Sequence, residues 1–388
     1  MMANSSIKHD TSPILPGSPL GVLGSGQLGR MFAIAAGQLG YHVHVFSPRP
    51  DSPTGQVAHR ETVAEYDDIA ALEAFAQSVA VVTLEFENIP TVAVETVQKF
   101  VPVRPSLDVL HISQHRLREK RFLTDAGIPC APFEAVNSPE QLESAIKTLG
   151  LPAVLKTVHA GYDGKGQYLI REPGELATAW DAVGQQPAVL EGWVDFQQEL
   201  SMLVARSVSG EITICGPIAN DHVNHILDLS YYPAPALAEV AEAAEEIARK
   251  VAEQLELVGI ACVELFLTSS GQLLVNEIAP RPHNSGHLTI EACETSQFEQ
   301  QVRAVCGLPL GSMQARCPAA MTNLLGDLWS SGVPNWHSVL KTPQAHLHLY
   351  GKAEAKKGRK MGHLTVLADK SPAAVEAALA LRAGLQNC

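Results

Sequence analysis

Apolar and polar positions along this chain switch between two periods, and the switches mark its elements. The run Pro19-Leu-Gly-Val-Leu enters Gly24-Ser-Gly26-Gln27-Leu-Gly29, and an Ala-rich stretch then predicts a helix from about Gln27 to Leu39. Strands follow at Tyr41–Phe46 and Val79–Leu84, a helix at Val92–Lys99 and a short strand near Val101–Val103. This alternation predicts an α/β unit ending near Leu110. A basic helix is expected from His111 to Ala126, stopped by Gly127-Ile128-Pro129. Beyond it come a helix at Pro139–Leu149 and strands at Ala153–Thr157, Tyr168–Ile170, Ala188–Val194, Leu200–Ser207 and Glu211–Gly216. Asn220 to Asp228 reads as a polar loop. Leu237, Val240, Ala244, Ile247, Val251 and Leu255 recur at helical spacing, so Ala236–Leu257 is the longest predicted helix, and its stripe is core.

Two apolar, β-rich runs then flank the turn signal Thr268-Ser-Ser-Gly271: Ile260–Leu267 and a run from Leu273. Paired as a hairpin, they set Glu264 and Glu277 on one face as diagonal neighbours. Two carboxylates that close repel. The placement makes sense around a cation, and Mg²⁺ is the hard cation that carboxylates and phosphates share. After the hairpin a polar loop reaches His287, and Ser285–Cys306 reads as helical. The last region holds strands at His346–Tyr350 and Leu364–Leu367 and a helix at Ala373–Leu385.

The totals narrow the classes. At 388 residues and 46% hydrophobic, the chain suits two or three domains. A formal charge of -13 argues against binding nucleic acid by its backbone, which needs a basic face. The seven cysteines show no metal-ligand spacing and suggest a reducing, cytoplasmic setting. No apolar run reaches the ~18 residues of a membrane span, so no membrane partner is expected. Residues 1–17 read as a disordered extension without a secretory pattern.

Four stretches carry candidate chemistry. Gly24, Gly26 and Gly29 fit GxGxxG, but a dinucleotide site needs an acid after the second strand, and Phe46-Ser47-Pro48 has none. The helix start there still suits an anion. Ala160–Gln167 is a Gly-rich loop joining strand to strand; its N–H groups can cover phosphates, with Lys156 beside it as a point charge. Glu191 and Glu199 are spaced to meet a ribose, and Glu191–Val194 to meet an adenine edge. Five basic residues between Lys352 and Lys360 could bind a phosphate monoester.

Together these features resemble the ATP-grasp superfamily and, within it, the N5-carboxyaminoimidazole ribonucleotide synthetases. The shared stretches are GSGQLGRM, FENIP, KT with GYDGKGQ, ELSMLVAR, NEIAPRPHNSGH, TSQFEQ, LHLYGK and GRKMGH, in that order. The resemblance implies an α/β (α+β) ATP-grasp fold: a Rossmann-like pre-ATP-grasp domain at 18–110, an ATP-grasp domain at 111–307 with a flap subdomain at about 156–205, and a small C-terminal α+β domain at 308–388. It implies ATP held by Arg116, Lys156, Gly161, Tyr162, Asp163, Gly164, Lys165, Gly166, Gln167, Glu191, Gly192, Trp193, Val194, Glu199, His222, Asn276 and Glu277. Two Mg²⁺ ions would sit on Glu264 and Glu277. Aminoimidazole ribonucleotide would be met by Gln27, Glu85, Tyr162, Asp163, Arg281, His283, Asn284 and Ser285, with Lys352 and Arg359 at its phosphate. Arg281, Lys156 and Asp163 would serve catalysis, bicarbonate would be the second acceptor, and the enzyme would be a homodimer. The family's Glu-Asn before the His is replaced here by Ala219-Asn220-Asp221-His222. The rival readings are another ATP-grasp ligase, a nicotinamide-dependent dehydrogenase and a non-catalytic nucleotide sensor.

Overall fold

The first strand, β1 (Pro19–Leu23), is buried from its second residue onward, as a strand covered on both faces must be. It lies in a parallel sheet with β2 (His42–Ser47), β3 (Arg60–Val63) and β4 (Val81–Leu84), in the order β3-β2-β1-β4. Helices α1 (Gln27–Gln38), α2 (Ile69–Ala76) and α3 (Thr91–Val97) connect and cover them. The strand expected at Val101–Val103 shrinks to one bridge between Val103 and Val82. The structure is a computed structural model, and it describes residues 12–159 and 166–385.

The expected helix His111–Ala126 is two helices, α4 (Leu107–Ser113) and α5 (Arg116–Asp125). Ser106 caps the first by accepting from the Val109 N–H, so it starts earlier than predicted. Between them the Gln114 amide reaches back to the Glu87 and Ile89 carbonyls, His115 turns extended, and the Arg116 N–H bonds Val158.

A small antiparallel sheet follows: β5 (Phe133–Val136), α6 (Pro139–Leu149), β6 (Ala153–Thr157), β7 (Gln167–Ile170), α7 (Leu176–Ala182) and β8 (Ala188–Gly192). Its order is β5-β8-β6-β7, and Leu142, Leu155, Trp180 and Leu190 share its core. This lobe runs from Phe133 to Gly192 rather than over 156–205, because the next strand joins a different sheet.

That sheet has eight strands, in the order β13-β12-β9-β10-β11-β14-β16-β15. The strands are β9 (Phe196–Arg206), β10 (Ile212–Val223), β11 (Ile226–Tyr232), β12 (Gly259–Thr268), β13 (Leu273–Ala279), β14 (Ala319–Leu325), β15 (Ala345–Leu349) and β16 (Lys360–Leu367). The polar loop expected at 220–228 is instead the β10–β11 hairpin. Its turn residues Asn224 and His225 have φ of 51° and 65°, the left-handed pair that a two-residue hairpin turn requires. His in the second place, where Gly is usual, hid that turn. The predicted helix Ala236–Leu257 begins as a 3-10 turn, Pro235–Val240, and continues as α8 (Ala241–Gln254); Ala244, Ala248 and Val251 seat it on the sheet. Ser285–Cys306 is also broken, into a 3-10 turn Asn284–Leu288, α9 (Thr289–Ala292) and α10 (Gln297–Cys306), the last capped by Ser296. Leu28, Met31 and Phe32 of α1 pack with Phe298, Val302 and Val305 of α10, which fixes the N-terminal unit to the large sheet. The C-terminal region has no sheet of its own. Its strand β14 pairs with β11, Leu229 opposite Thr322, and α11 (Trp336–Leu340) and α12 (Ser371–Gly384) complete it.

Candidate active site

The β12–β13 hairpin carries the two candidate metal ligands, and a bulge decides how they meet. Near the turn, Leu265 opposes Val275; one step further, Glu264 opposes Glu277. Asn276 is the extra residue on β13. The acids are therefore directly opposed on one face, not diagonal as expected. Helix α5 braces the bulge from behind: Lys120 Nζ donates to the Asn276 carbonyl at 3.2 Å, and Glu119 Oε2 accepts the Ile278 N–H at 3.0 Å. Burial, with Glu277 nearby, raises Glu119 to about 8.

Each hairpin acid has a cationic neighbour. Glu264 Oε1 lies 2.8 Å from His283 Nε2, and Glu277 Oε2 lies 3.4 Å from Arg116 Nη1. Burial opposes charge on His283, but Cys262 and Glu264 beside the ring lift it to about 10. Burial likewise opposes the Glu264 carboxylate, and His283 outweighs it, holding the acid below the usual range.

On the nucleotide side Lys156, on β6, donates to Glu191 Oε2 at 3.0 Å, and Lys120 sits 3.5 Å from the same oxygen. Burial disfavours the Glu191 charge, yet Lys120 and Lys156 bring it down to about 2. Burial lowers Lys156, with Glu191 opposing. Glu191 is thus a buried counter-ion rather than an open ribose acceptor, although its Oε1 has no partner among the described residues. Gly192 and Trp193 spend their N–H groups on the Pro132 and Pro152 carbonyls, and they lead with Val194 from the small sheet into the large one. Glu199 Oε2 meets His222 Nδ1 at 2.7 Å; burial notwithstanding, Glu199 raises that imidazole. Gly166 and Gln167 close the β6–β7 loop, the Gly166 carbonyl accepting from Thr157. Gly161, Tyr162, Asp163, Gly164 and Lys165 lie outside the described residues.

The N-terminal unit contributes two acids, Glu85 just before FENIP and Glu87 within it. Glu85 turns into the Gly-rich turn and accepts from the Gly26 N–H at 2.8 Å and the Gly29 N–H at 3.4 Å. The glycines serve this approach: a Cβ on Gly24 would fall 2.4 Å from Glu85 Cγ, and one on Gly26 2.7 Å from Glu85 Oε1. The anion position that GxGxxG advertises is filled from within, which removes the dehydrogenase reading. Burial raises Glu85, while Arg281 and Lys352 draw it back. Glu87 holds Arg281 in a two-pronged pair, Nε to Oε2 and Nη2 to Oε1, the latter at 3.0 Å. Burial resists both charges; each is nonetheless stabilised by the other.

Gln297 clamps the polar loop, accepting from the His283 N–H at 2.9 Å and donating to the His283 carbonyl at 2.8 Å. Asn284 and Ser285, expected to face substrate, are buried: Asn284 donates to Asn323 Oδ1 at 2.8 Å while its own Oδ1 has no partner among the described residues, and Ser285 donates to Ser201 Oγ at 2.9 Å. Lys352 Nζ donates to the Lys360 carbonyl at 2.6 Å and lies over the Tyr350 ring; Arg359 Nη1 donates to the Glu354 carbonyl at 3.0 Å. Gln27 is the first residue of α1, half-buried beside Gly26. Sequence reasoning overlooked Glu87, Glu119, Lys120 and Gln297. Glu87 and Gln297 sit inside motifs it had already singled out, but nothing in spacing tells a clamp from a passenger.

Comparison with known proteins identifies all three regions of the chain. Residues 18–114 match the ribonucleotide synthetase preATP-grasp domain, 121–298 the ATP-grasp domain, and 319–377 the phosphoribosylaminoimidazole carboxylase C-terminal domain. The chain is 46% identical over 354 residues to N5-carboxyaminoimidazole ribonucleotide synthase of Bacillus subtilis, covering 91% of this chain and 92% of that one. It is 43% identical to the Brucella melitensis enzyme of the same name, covering 92% and 98%. The crystal structure of an ADP complex of N5-carboxyaminoimidazole ribonucleotide synthetase superposes with a TM-score of 0.89 at 43% identity, over 95% of this chain and 97% of that one. The Aspergillus clavatus synthase with ADP and 5-aminoimidazole ribonucleotide gives 0.87 at 30%, over 96% and 99%. This chain belongs to the N5-carboxyaminoimidazole ribonucleotide synthase family of ATP-grasp enzymes.

Proposed function

We propose that this chain carboxylates 5-aminoimidazole ribonucleotide to N5-carboxyaminoimidazole ribonucleotide, using ATP and bicarbonate and releasing ADP and phosphate, in purine biosynthesis. The observation that carries the reading is the meeting of three regions at one cleft. The opposed acids Glu264 and Glu277, the Arg281–Glu87 pair and the Lys352 side each come from a different part of the fold.

Mg²⁺ fits the hairpin by the chemistry of its donors. Two opposed carboxylates offer hard oxygens, and their present partners, His283 and Arg116, are cations that an ion there would relieve. Two such ions, when bound, would neutralise charge on the transferring phosphoryl group. The chain's own groups do the rest. Lys156 offers a point charge to ATP phosphates from β6, with Glu191 holding its ammonium in place. The hinge 191–194, Glu199, His222, Arg116 and Asn276 line the nucleotide side, and the loop 161–167 would close over the phosphates. Bicarbonate is a weak electrophile, so its phosphorylation to carboxyphosphate makes the carboxyl transferable to the substrate amine. Arg281 presents a guanidinium that Glu87 orients, a planar donor for bicarbonate or carboxyphosphate. Asp163 and Tyr162 would meet the imidazole from the loop, Gln27, Glu85 and His283 from the cleft wall, and Lys352 and Arg359 the ribonucleotide phosphate. Asn284 and Ser285 act behind the surface, through their bonds to Asn323 and Ser201.

A homodimer is the proposed assembly, on the family resemblance. A cytoplasmic setting is supported by the six described cysteines, all unpaired; among the described residues no helix is long and apolar enough to cross a membrane. The deciding experiment measures phosphate release from ATP. Release should require aminoimidazole ribonucleotide and rise with added bicarbonate. Release that ignores bicarbonate, or that prefers another acceptor, would assign the chain to a different ATP-grasp reaction.

A further inference from the structure

The hairpin carries a third donor that carboxylation does not use. Cys262 stands two residues before Glu264 on β12, so both side chains leave the same face of the strand. The Cys262 thiol, the Glu264 carboxylate and the His283 imidazole each bring one ligand atom to within 4.8 Å of the others. Among the described residues this is the one group of three or more His, Cys, Asp or Glu so placed. It has a back and a front. Cys262 is fully buried in the apolar cluster with Leu203, Ile260 and Leu288, whereas Glu264 and His283 are 13% and 15% exposed, so the opening is on the cleft side.

His283 Nε2 already faces Glu264 Oε1 at 2.8 Å, and the thiol sulfur lies within 4.8 Å of both groups' ligand atoms. The other ring nitrogen, Nδ1, lies 2.9 Å from Ser285 Oγ, which is itself anchored on Ser201. That is the outer support a metal-bound imidazole needs to keep its orientation. We propose that Cys262, Glu264 and His283 form a binding site for a thiophilic divalent cation of the Zn²⁺ class.

The donor types fit. Zn²⁺ accepts sulfur, nitrogen and carboxylate together at roughly 2.0–2.3 Å, which sets tetrahedral donors about 3.3–3.7 Å apart. Donors between 2.8 Å and 4.8 Å apart reach that arrangement by side-chain adjustment. The fourth position opens to the cleft. Mg²⁺ gains nothing from a thiol, because it wants oxygen in near-octahedral array. The bound ion would hold Glu264 away from Mg²⁺ and His283 away from substrate, and so inhibit the enzyme. The site itself goes beyond the carboxylation reading and does not rest on it.

The test titrates the full chain, free of nucleotide, with Cd²⁺ and separately with Zn²⁺. Ultraviolet absorption reports cadmium–thiolate bonds, and calorimetry counts the ions bound per chain. One ion per chain and a thiolate band are expected. Cys262→Ala should abolish the band and weaken binding by roughly 100-fold or more, at or beyond the upper end of what loss of an outer-shell partner costs. Cys262→Ser, which keeps the side-chain volume, should also lose the band. Both variants should keep Mg²⁺-supported turnover and escape Zn²⁺ inhibition. An undiminished band and affinity in both variants, or no tight binding by the folded unmodified chain, would overturn the site. Because binding is read without substrates, failure here leaves the carboxylation reading untouched, and failure of bicarbonate dependence leaves this site untouched.

Discussion

The Gly turn after β1 and the β12–β13 hairpin both advertise a ligand in the sequence, yet the structure treats them in opposite ways. At the Gly turn the advertised anion is a side chain of the same protein, Glu85, seated on the Gly26 and Gly29 N–H groups. At the hairpin the acids are opposed across a bulge and paired with His283 and Arg116, partners that a cation could replace. The two buried carboxylates also respond to their surroundings with opposite sign. Burial dominates at Glu85 and raises it, whereas His283 overcomes burial at Glu264 and lowers it. Glycine spacing therefore reports that something comes close to the backbone; it does not report whether that thing is a ligand.

This contrast can be broken at either end. The largest effect is expected at the hairpin: Glu277→Gln should cut bicarbonate-dependent phosphate release by ~10²–10³-fold, on the scale of losing one preorganised electrostatic contact, while thermal melting shows the fold intact. A comparable turnover would mean that the hairpin is scaffold, like the Gly turn. Next, Glu87→Ala strands the Arg281 guanidinium, which is 18% exposed. Urea unfolding should show a loss of ~3 kcal/mol, the low end for breaking a buried pair, because both groups reach the cleft. The requirement for bicarbonate should rise more than that for ATP. Third, Glu85→Ala leaves the Gly26 and Gly29 donors without their acceptor and should destabilise by ~1–3 kcal/mol; it should not create NADH binding, as a fluorescence titration would report.

The smallest effect is on pH dependence, where the two acids separate. His283, raised to about 10, stabilises the fold fully below the ordinary histidine value of ~6.5, and loses that contribution as pH climbs through about 10. Glu264, lowered, contributes above the ordinary carboxylate range and loses its share as pH falls through its folded value. Glu85, raised, contributes at low pH and loses it as pH rises through its own folded value. His283→Gln should remove the alkaline limb, and Glu85→Gln should remove a decline running in the same direction from lower pH. Each is expected to be on the order of 1 kcal/mol, readable by melting across pH.

Much of the architecture was legible because it rests on periodicity: β1, β2 and β4 of the first sheet, the apolar stripe of α8 and the Thr268–Gly271 turn all follow from local pattern, whereas the short β3 and α2 did not show. What stayed hidden depends on contacts distant in sequence. The bulge at Asn276 is held by Glu119 and Lys120, more than 150 residues away, so no window around the hairpin could set its register. The break at Gln114 follows from its bonds to the Glu87 and Ile89 carbonyls. Glu191 looked like a ribose acceptor because its two lysine neighbours lie on α5 and β6. Asn284 and Ser285 looked like ligand contacts because a polar motif does not say which members face inward.

The unbroken eight-stranded sheet has a mechanical consequence. Glu264 and Glu277 at one end, and the strands that flank Lys352 and Arg359 at the other, belong to the same hydrogen-bonded slab, with α1 and α10 bolting the Gly-turn unit onto it. The β5–β8 sheet is joined to it by the 193–195 crossing into β9, by the segment that leads into β5, and by the contacts of α5 with Glu191 and Val158. The hairpin acids and the C-terminal strands are thus held at a set distance by one continuous ladder, whereas Lys156 stands on a lobe with a core of its own.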